Sequence, residues 1–141
     1  DNLRVLRLNN MKLTNIPDFK HIPNLNELDL SNNYLDKLPN LEIFKKIKIL
    51  NLNYNIIKQD IMNLNKYPSL QEIYLEESNI QFLISKYLIF IDLMYTYMPK
   101  IDVSKSCFIL TQYSQDENIF NYVNSPNNYT SWSKDFLKFY N

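Results

Sequence analysis

One pattern is written along this chain four times, and its spacing leaves little freedom in how the chain can fold. Leu25, Leu28, Leu30, Asn33 and Leu35 read L-x-x-L-x-L-x-x-N-x-L. Ile47, Leu50, Leu52, Asn55 and Ile57 repeat it. Leu3, Leu6, Leu8, Met11 and Leu13 precede it with Met in the Asn slot, and Leu70, Ile73, Leu75, Ser78 and Ile80 follow it with Ser there. The first positions step by 22, 22 and 23 residues. A fixed period of this size describes stacked equivalent units, none of which can bury its apolar face alone. The last two leucines of L-x-x-L-x-L lie two apart, as inward-facing strand residues do, so the residue between them points the other way. Stacked copies then pair their strands in parallel. The Asn stands where the chain leaves the strand. Its side chain is both donor and acceptor and can satisfy turn groups that water cannot reach. Asn33 and Asn55 suit that place, whereas Met11, Ser78 and Thr96 do not or only weakly, so looser turns are expected at both ends.

The second half of each unit is regular too. Ile16, Phe19 and Ile22, then Leu38, Leu41 and Phe44, fall every third residue, and Ile61, Leu64 and Tyr67 follow one residue late. A period near three predicts 3₁₀ turns or a short helix on the outer side. Leu88, Ile91, Leu93, Thr96 and Met98 keep the spacing as a degenerate fifth unit after a step of only 18 residues. Over about residues 2 to 98 the chain resembles the leucine-rich repeats, and among them the 22-residue class of a phosphatase-1 regulatory subunit and the internalins. The resemblance implies an α/β fold: a right-handed solenoid with a parallel sheet on its concave face and 3₁₀ or short helical turns on its convex face. Residues 1–98 would be the repeats and 99–141 a C-terminal capping segment of the same domain.

The tail from Ile101 breaks the pattern. Cys107 to Leu110 suits a final strand. Ser114-Gln115-Asp116-Glu117 matches a capping box that starts a helix through about Val123. Ser125-Pro126-Asn127-Asn128 reads as a loop. A second helix from about Ser131 would align Trp132, Phe136 and Tyr140, with Leu137 beside them. An array must close its open apolar end, so a helical cap is the simpler role. A docking helix anchored by Trp132 is the alternative.

Several chemistries are excluded by what is missing. The chain holds no glycine, which removes the phosphate loop and the dinucleotide fingerprint together. A single histidine, His21, removes multi-histidine metal sites and reads as a surface or half-buried structural residue. The single cysteine, Cys107, precedes Phe108 and Ile109 and reads as a buried inert thiol. It lacks the x-Asp that follows the catalytic cysteine of some repeat-bearing ubiquitin ligases. Glu76–Glu77 and Asp116–Glu117 pair carboxylates without the convergence that acid–base work needs. Calcium would want more oxygen ligands. We therefore expect no enzyme, no cofactor and no metal.

Formal net charge is zero, so nothing steers the chain to nucleic acid or an anionic membrane. Lys45, Lys46 and Lys48 read as a solvated face. The longest apolar run, Tyr87 to Tyr95, is interrupted by Asp92 and is too short to span a bilayer. One cysteine allows no internal disulfide, which leans intracellular. The sequon at Asn128 is a chance-level triplet in an Asn-rich chain. The absence of glycine and alanine beside abundant Asn, Ile, Lys and Tyr suggests an AT-rich genome. Leu3 is already a strand position, so upstream sequence is expected to cover it.

The residues around the strand leucines face the concave side. Ile49, Tyr54, Tyr74, Phe90, Met94 and Tyr95 would gather there as an apolar patch, rimmed by Glu72, Glu76, Glu77 and Asp92. Aromatics and Met on an exposed face are enriched at interface cores. The expected function is a noncatalytic module that binds a protein partner through this face. The alternative is a regulatory or substrate-recognition subunit of an enzyme complex, such as a phosphatase regulator or ubiquitin-ligase receptor. A competing reading of the patch has the tail folding over it.

Overall fold

The computed structural model describes residues 2–96, 99–104 and 107–111. Among these residues are nine strands: β1 (Val5–Arg7), β2 (Glu27–Asp29), β3 (Ile49–Asn51), β4 (Lys58–Asn63), β5 (Glu72–Tyr74), β6 (Asn79–Ser85), β7 (Phe90–Leu93), β8 (Lys100–Val103) and β9 (Phe108–Thr111). Six form one sheet in the order β1-β2-β3-β5-β7-β9, and three form another in the order β4-β6-β8. Every pairing is parallel. The chain is therefore a β-solenoid.

The repeat sets the register. Leu6, Leu28, Leu50, Ile73, Ile91 and Ile109 stand opposite one another across the six strands. From Leu28 onward these side chains are buried, as are Leu30, Leu52, Leu75 and Leu93 two residues further along. The strands are only three or four residues long because the chain must turn after each inward pair. β9 is the final strand expected at Cys107 to Leu110, and it extends the sheet beyond β7.

Asparagine makes the turns possible. Asn33 Oδ1 accepts from the Met11 and Leu13 amides at 3.0 and 2.9 Å. Its Nδ2 donates to the Leu8 and Leu30 carbonyls, both at 2.9 Å. Asn55 repeats this one turn on, accepting from Leu35 N and donating to Leu30 O and Leu52 O, each at 3.0 Å. Each side chain ties its own turn to the preceding one. The weaker slots behave as expected for Ser78, whose Oγ donates only within its own turn, to Leu75 O at 2.6 Å. Thr96 does better and reaches back to Leu75 O at 3.1 Å.

The outer side corrects the expected helices: no helix occurs among the described residues. The period of three instead marks separate turns closed by i to i+3 hydrogen bonds. Ile22, Phe44 and Tyr67 amides donate to the Phe19, Leu41 and Leu64 carbonyls, and Ile47 and Leu70 amides to Phe44 and Tyr67 carbonyls. Between such turns β4, β6 and β8 form the second sheet. The expected inward set is shifted there. Met62 is fully buried while Ile61 is 57% exposed, because a strand alternates every two residues rather than every three. Met62, Leu83 and Ile101 pair in register, all buried, and close the core against the six-stranded sheet. The two tail helices, the Trp132 anchor, the Asn128 sequon and Met98 lie outside the described residues.

With no glycine, left-handed turn residues are built from other types. Asn10, Asn32, Tyr54, Glu77 and Tyr95 occupy one equivalent position in successive turns, with φ between 54° and 63°. Asparagine tolerates this conformation, but a long or aromatic side chain costs about 1–2 kcal/mol there. Glycine removes that clash and gives back part of the gain as unfolded-state entropy. Glu77→Gly is thus expected to stabilise the fold by about 1 kcal/mol, read as a higher urea midpoint. An unchanged or lower midpoint would show that the neighbouring turns already relieve the strain.

Candidate functional site

The outward strand positions of the larger sheet form two columns. One runs Val5, Glu27, Ile49, Glu72, Phe90, Phe108, and the other Arg7, Asp29, Asn51, Tyr74, Asp92, Leu110. Inward leucines fix this arrangement, since a slip of one residue would exchange the two faces. Of the expected site residues, Ile49, Glu72, Tyr74, Phe90 and Asp92 occupy these columns on β3, β5 and β7. Glu76 and Met94 follow in the loops, and Tyr54 and Tyr95 stand at the left-handed turn positions on the rim. Tyr54 and Tyr95 are exposed, whereas Ile49, Tyr74, Phe90 and Met94 are half-buried.

The aromatic rings meet. Tyr74 and Phe90 lie 5.4 Å apart between centroids, tilted by 43°. Phe90 stacks on Phe108 at 5.6 Å with only 14° between planes. Phe108 was absent from the expected patch. Its signal was the 18-residue step from Leu70 to Leu88, which, carried forward once more, takes Phe90 to Phe108 and Ile91 to Ile109.

Hydrogen bonds hold the acidic rim. Tyr54 Oη donates to Glu76 Oε1 at 2.7 Å, and Asn53 accepts from Glu76 N at 2.8 Å through Oδ1. Tyr74 Oη donates to Glu72 Oε2 at 3.0 Å. The bond to Glu76 pushes the Tyr54 phenol up to about 12. For Tyr74, burial first and Glu72 second also push it up to about 12. Both phenols therefore stay protonated as donors through the neutral range.

Asp92 departs from the expected solvated rim, being only 7% exposed. Its Oδ1 accepts from Met94 N at 3.0 Å, as Asn51 accepts from Asn53 N and Asp29 from Ser31 N at the same place in their own turns. A side-chain oxygen that accepts two residues on shapes the exit from the strand. Burial raises the Asp92 carboxyl above its ordinary range, against the opposing hydrogen bond from Met94. A raised folded-state value means that the folded form holds its proton longer than the unfolded chain. Stability contributed here is present at low pH and is lost as pH rises through the folded value. Asp92→Asn keeps the acceptor, as Asn51 does, and removes the charge. We expect it to raise the urea midpoint at pH 7, with the gain shrinking toward zero below pH ~4. A gain that is the same at both pH values would assign the effect to something other than ionisation.

Elsewhere His21 is exposed and Cys107 is 5% exposed, with its thiol pushed up to about 12 by burial. Among the described residues no group of three or more His, Cys, Asp or Glu is placed to hold a metal, and no helix is long and apolar enough to cross a membrane.

Residues 1–43 match a family model described as leucine-rich repeats in two copies. A stretch of 73 residues, 51% of this chain, is 33% identical to Toll-like receptor 10 of Bos taurus. That stretch spans 9% of the receptor's length, so the chain corresponds to a small part of that relative. Registered parallel rungs, an asparagine ladder tying turn to turn, and these two matches together support a leucine-rich repeat protein.

Proposed function

We propose that this chain is a noncatalytic recognition module that binds a protein partner through the outward face of its six-stranded sheet, read as the concave face. Leucine-rich repeat domains in general mediate protein–protein interaction, and solenoids offer extended surfaces for it. The observation that carries the proposal is the aromatic ladder Tyr74–Phe90–Phe108, half-open on a face that also carries Glu27, Asp29, Asn51, Glu72 and Asp92. Covering such rings supplies apolar burial, and the hydrogen-bonded carboxylates beside them set orientation. The Bos taurus relative is by name a receptor, which favours ligand recognition over the regulation of an enzyme. An intracellular setting is part of the proposal and is supported by the one cysteine, unpaired and buried.

The test is retention on the immobilised chain, with retained proteins identified and their affinity measured. Tyr74→Ala is expected to weaken binding about tenfold or more, as for a hot-spot aromatic, while the melting curve stays close to that of the unaltered chain. Phe82→Ala on the second sheet should leave binding unchanged. Equal retention by the Tyr74 variant, or its loss of folding, rejects this face as the binding surface.

A further inference from the structure

The ladder carries an inference that rests on the partner-binding reading above and narrows it. β5 and β7 set four outward side chains at the corners of a square, with Glu72 beside Phe90 and Tyr74 beside Asp92. The two rings occupy one diagonal, so the two carboxylates occupy the other. Phe108 lengthens the aromatic surface by one rung. A π surface is thus flanked by the half-exposed Glu72 on one side and the nearly buried Asp92 on the other.

Charge over the whole face is equally one-sided. Its outward strand positions and the loop positions that follow carry Glu27, Asp29, Glu72, Glu76, Glu77 and Asp92 against Arg7 alone, and Arg7 pairs with Glu27 at 3.1 Å. The chain as a whole is neutral, so its cations are placed elsewhere. The column just ahead of the strands carries Arg4 and Lys48 but continues with Gln71 and Ile89, leaving no cation there beside the ladder.

We propose that this face takes an extended basic segment of its partner, and that one arginine of the segment lays its guanidinium on the Tyr74–Phe90–Phe108 ladder between Glu72 and Asp92. A cation over a ring face is drawn to its negative quadrupole. Guanidinium is planar and weakly hydrated, so it stacks on the rings while its edge donates to carboxylates. Lysine is a strongly hydrated point charge and uses only part of this arrangement. Adjacent strands lie about 4.8 Å apart, which brings the half-exposed Glu72 carboxylate within reach of a group centred on the rings, while the nearly buried Asp92 acts on it through its charge. Tyr74 already holds Glu72 at 3.0 Å, so less ordering is needed on binding.

The test uses the full chain and a short labelled peptide of alternating arginine and valine, with matched peptides carrying lysine or glutamine instead. Binding is followed by fluorescence anisotropy. The arginine peptide is expected to bind about tenfold more tightly than the glutamine peptide and severalfold more tightly than the lysine one. Phe90→Leu and Glu72→Gln should each weaken it about fivefold, and Phe82→Leu on the second sheet should not. Circular dichroism checks that each variant is folded, and the near-isosteric Glu72→Gln keeps the test decisive if Phe90→Leu is not. Equal binding of the arginine and glutamine peptides overturns the inference, as does indifference to both substitutions. Charge-blind binding that still falls with Tyr74→Ala removes the arginine and leaves the docking face standing. Binding indifferent to Tyr74→Ala as well removes both.

Discussion

Leu50→Ala is expected to cost about 2–5 kcal/mol of stability, read from denaturant midpoints. Leu50 is fully buried on β3, in register between Leu28 and Ile73. Truncation leaves a void between turns that are held apart by main-chain bonds. Leu30 N donates to Asn51 O at 2.9 Å, and Leu52 N to Tyr74 O at 2.8 Å. Those bonds resist the collapse that would fill the gap, which is what places a substitution toward the costly end of the range. Each unit is covered only by its neighbours, so a weak third turn also loosens the units on either side. The matched substitution Leu6→Ala, at the half-exposed end of the array, should cost clearly less. Equal costs at the two positions would mean that burial in this stack does not follow the register.

The second large effect is expected at Asn33. Asn33→Ala removes the acceptor for the Met11 and Leu13 amides and the donor for the Leu8 and Leu30 carbonyls. Buried polar groups left unmatched cost about 1–3 kcal/mol each, and water can reach some of these at the exposed first turn, so a total of about 2–4 kcal/mol is expected. Ser78→Ala is the control. It deletes one bond within one turn and should cost about 1 kcal/mol. Chemical denaturation of both variants in one buffer gives the comparison. If the two costs are the same, the asparagine ladder does not couple successive turns.

The repeat was legible because it is a constraint on neighbours. Leu28, Leu50 and Ile73 recur where an inward strand residue must recur, and Asn33 and Asn55 recur where a buried turn needs both a donor and an acceptor. Those positions could be named from spacing alone, and so could the outward columns, since alternation follows from the strand itself. The outer segments were harder. A period of three fits a 3₁₀ helix and a chain of single turns equally well, and Ile61 and Met62 are both apolar, so the sequence offers either as the inward residue. Strand pairing with β6 chose Met62.

The site shows the same division. Ile49, Glu72, Tyr74 and Phe90 were placed on one face by periodicity. Phe108 was missed because the later turns are shorter than the earlier ones, and a search at the longer period steps past it. Asp92 looked like one more solvated carboxylate beside Glu72 and Glu76. Its burial depends on the loop after β7 turning its Met94 amide onto the side chain, which is a matter of packing between turns rather than of residue type.

By itself the sequence determined the stack: which side chains point inward, where the turns fall and which asparagines tie them, because each of these is dictated by local geometry repeated at a fixed interval. Only the tertiary structure decided what lies opposite what at short range across different intervals: the second sheet on the outer side, the ring-to-ring contacts of Tyr74, Phe90 and Phe108, and the withdrawal of Asp92 from water. Those outcomes follow from register between turns of unequal length, and register is settled by the packing of neighbours, which no single repeat contains.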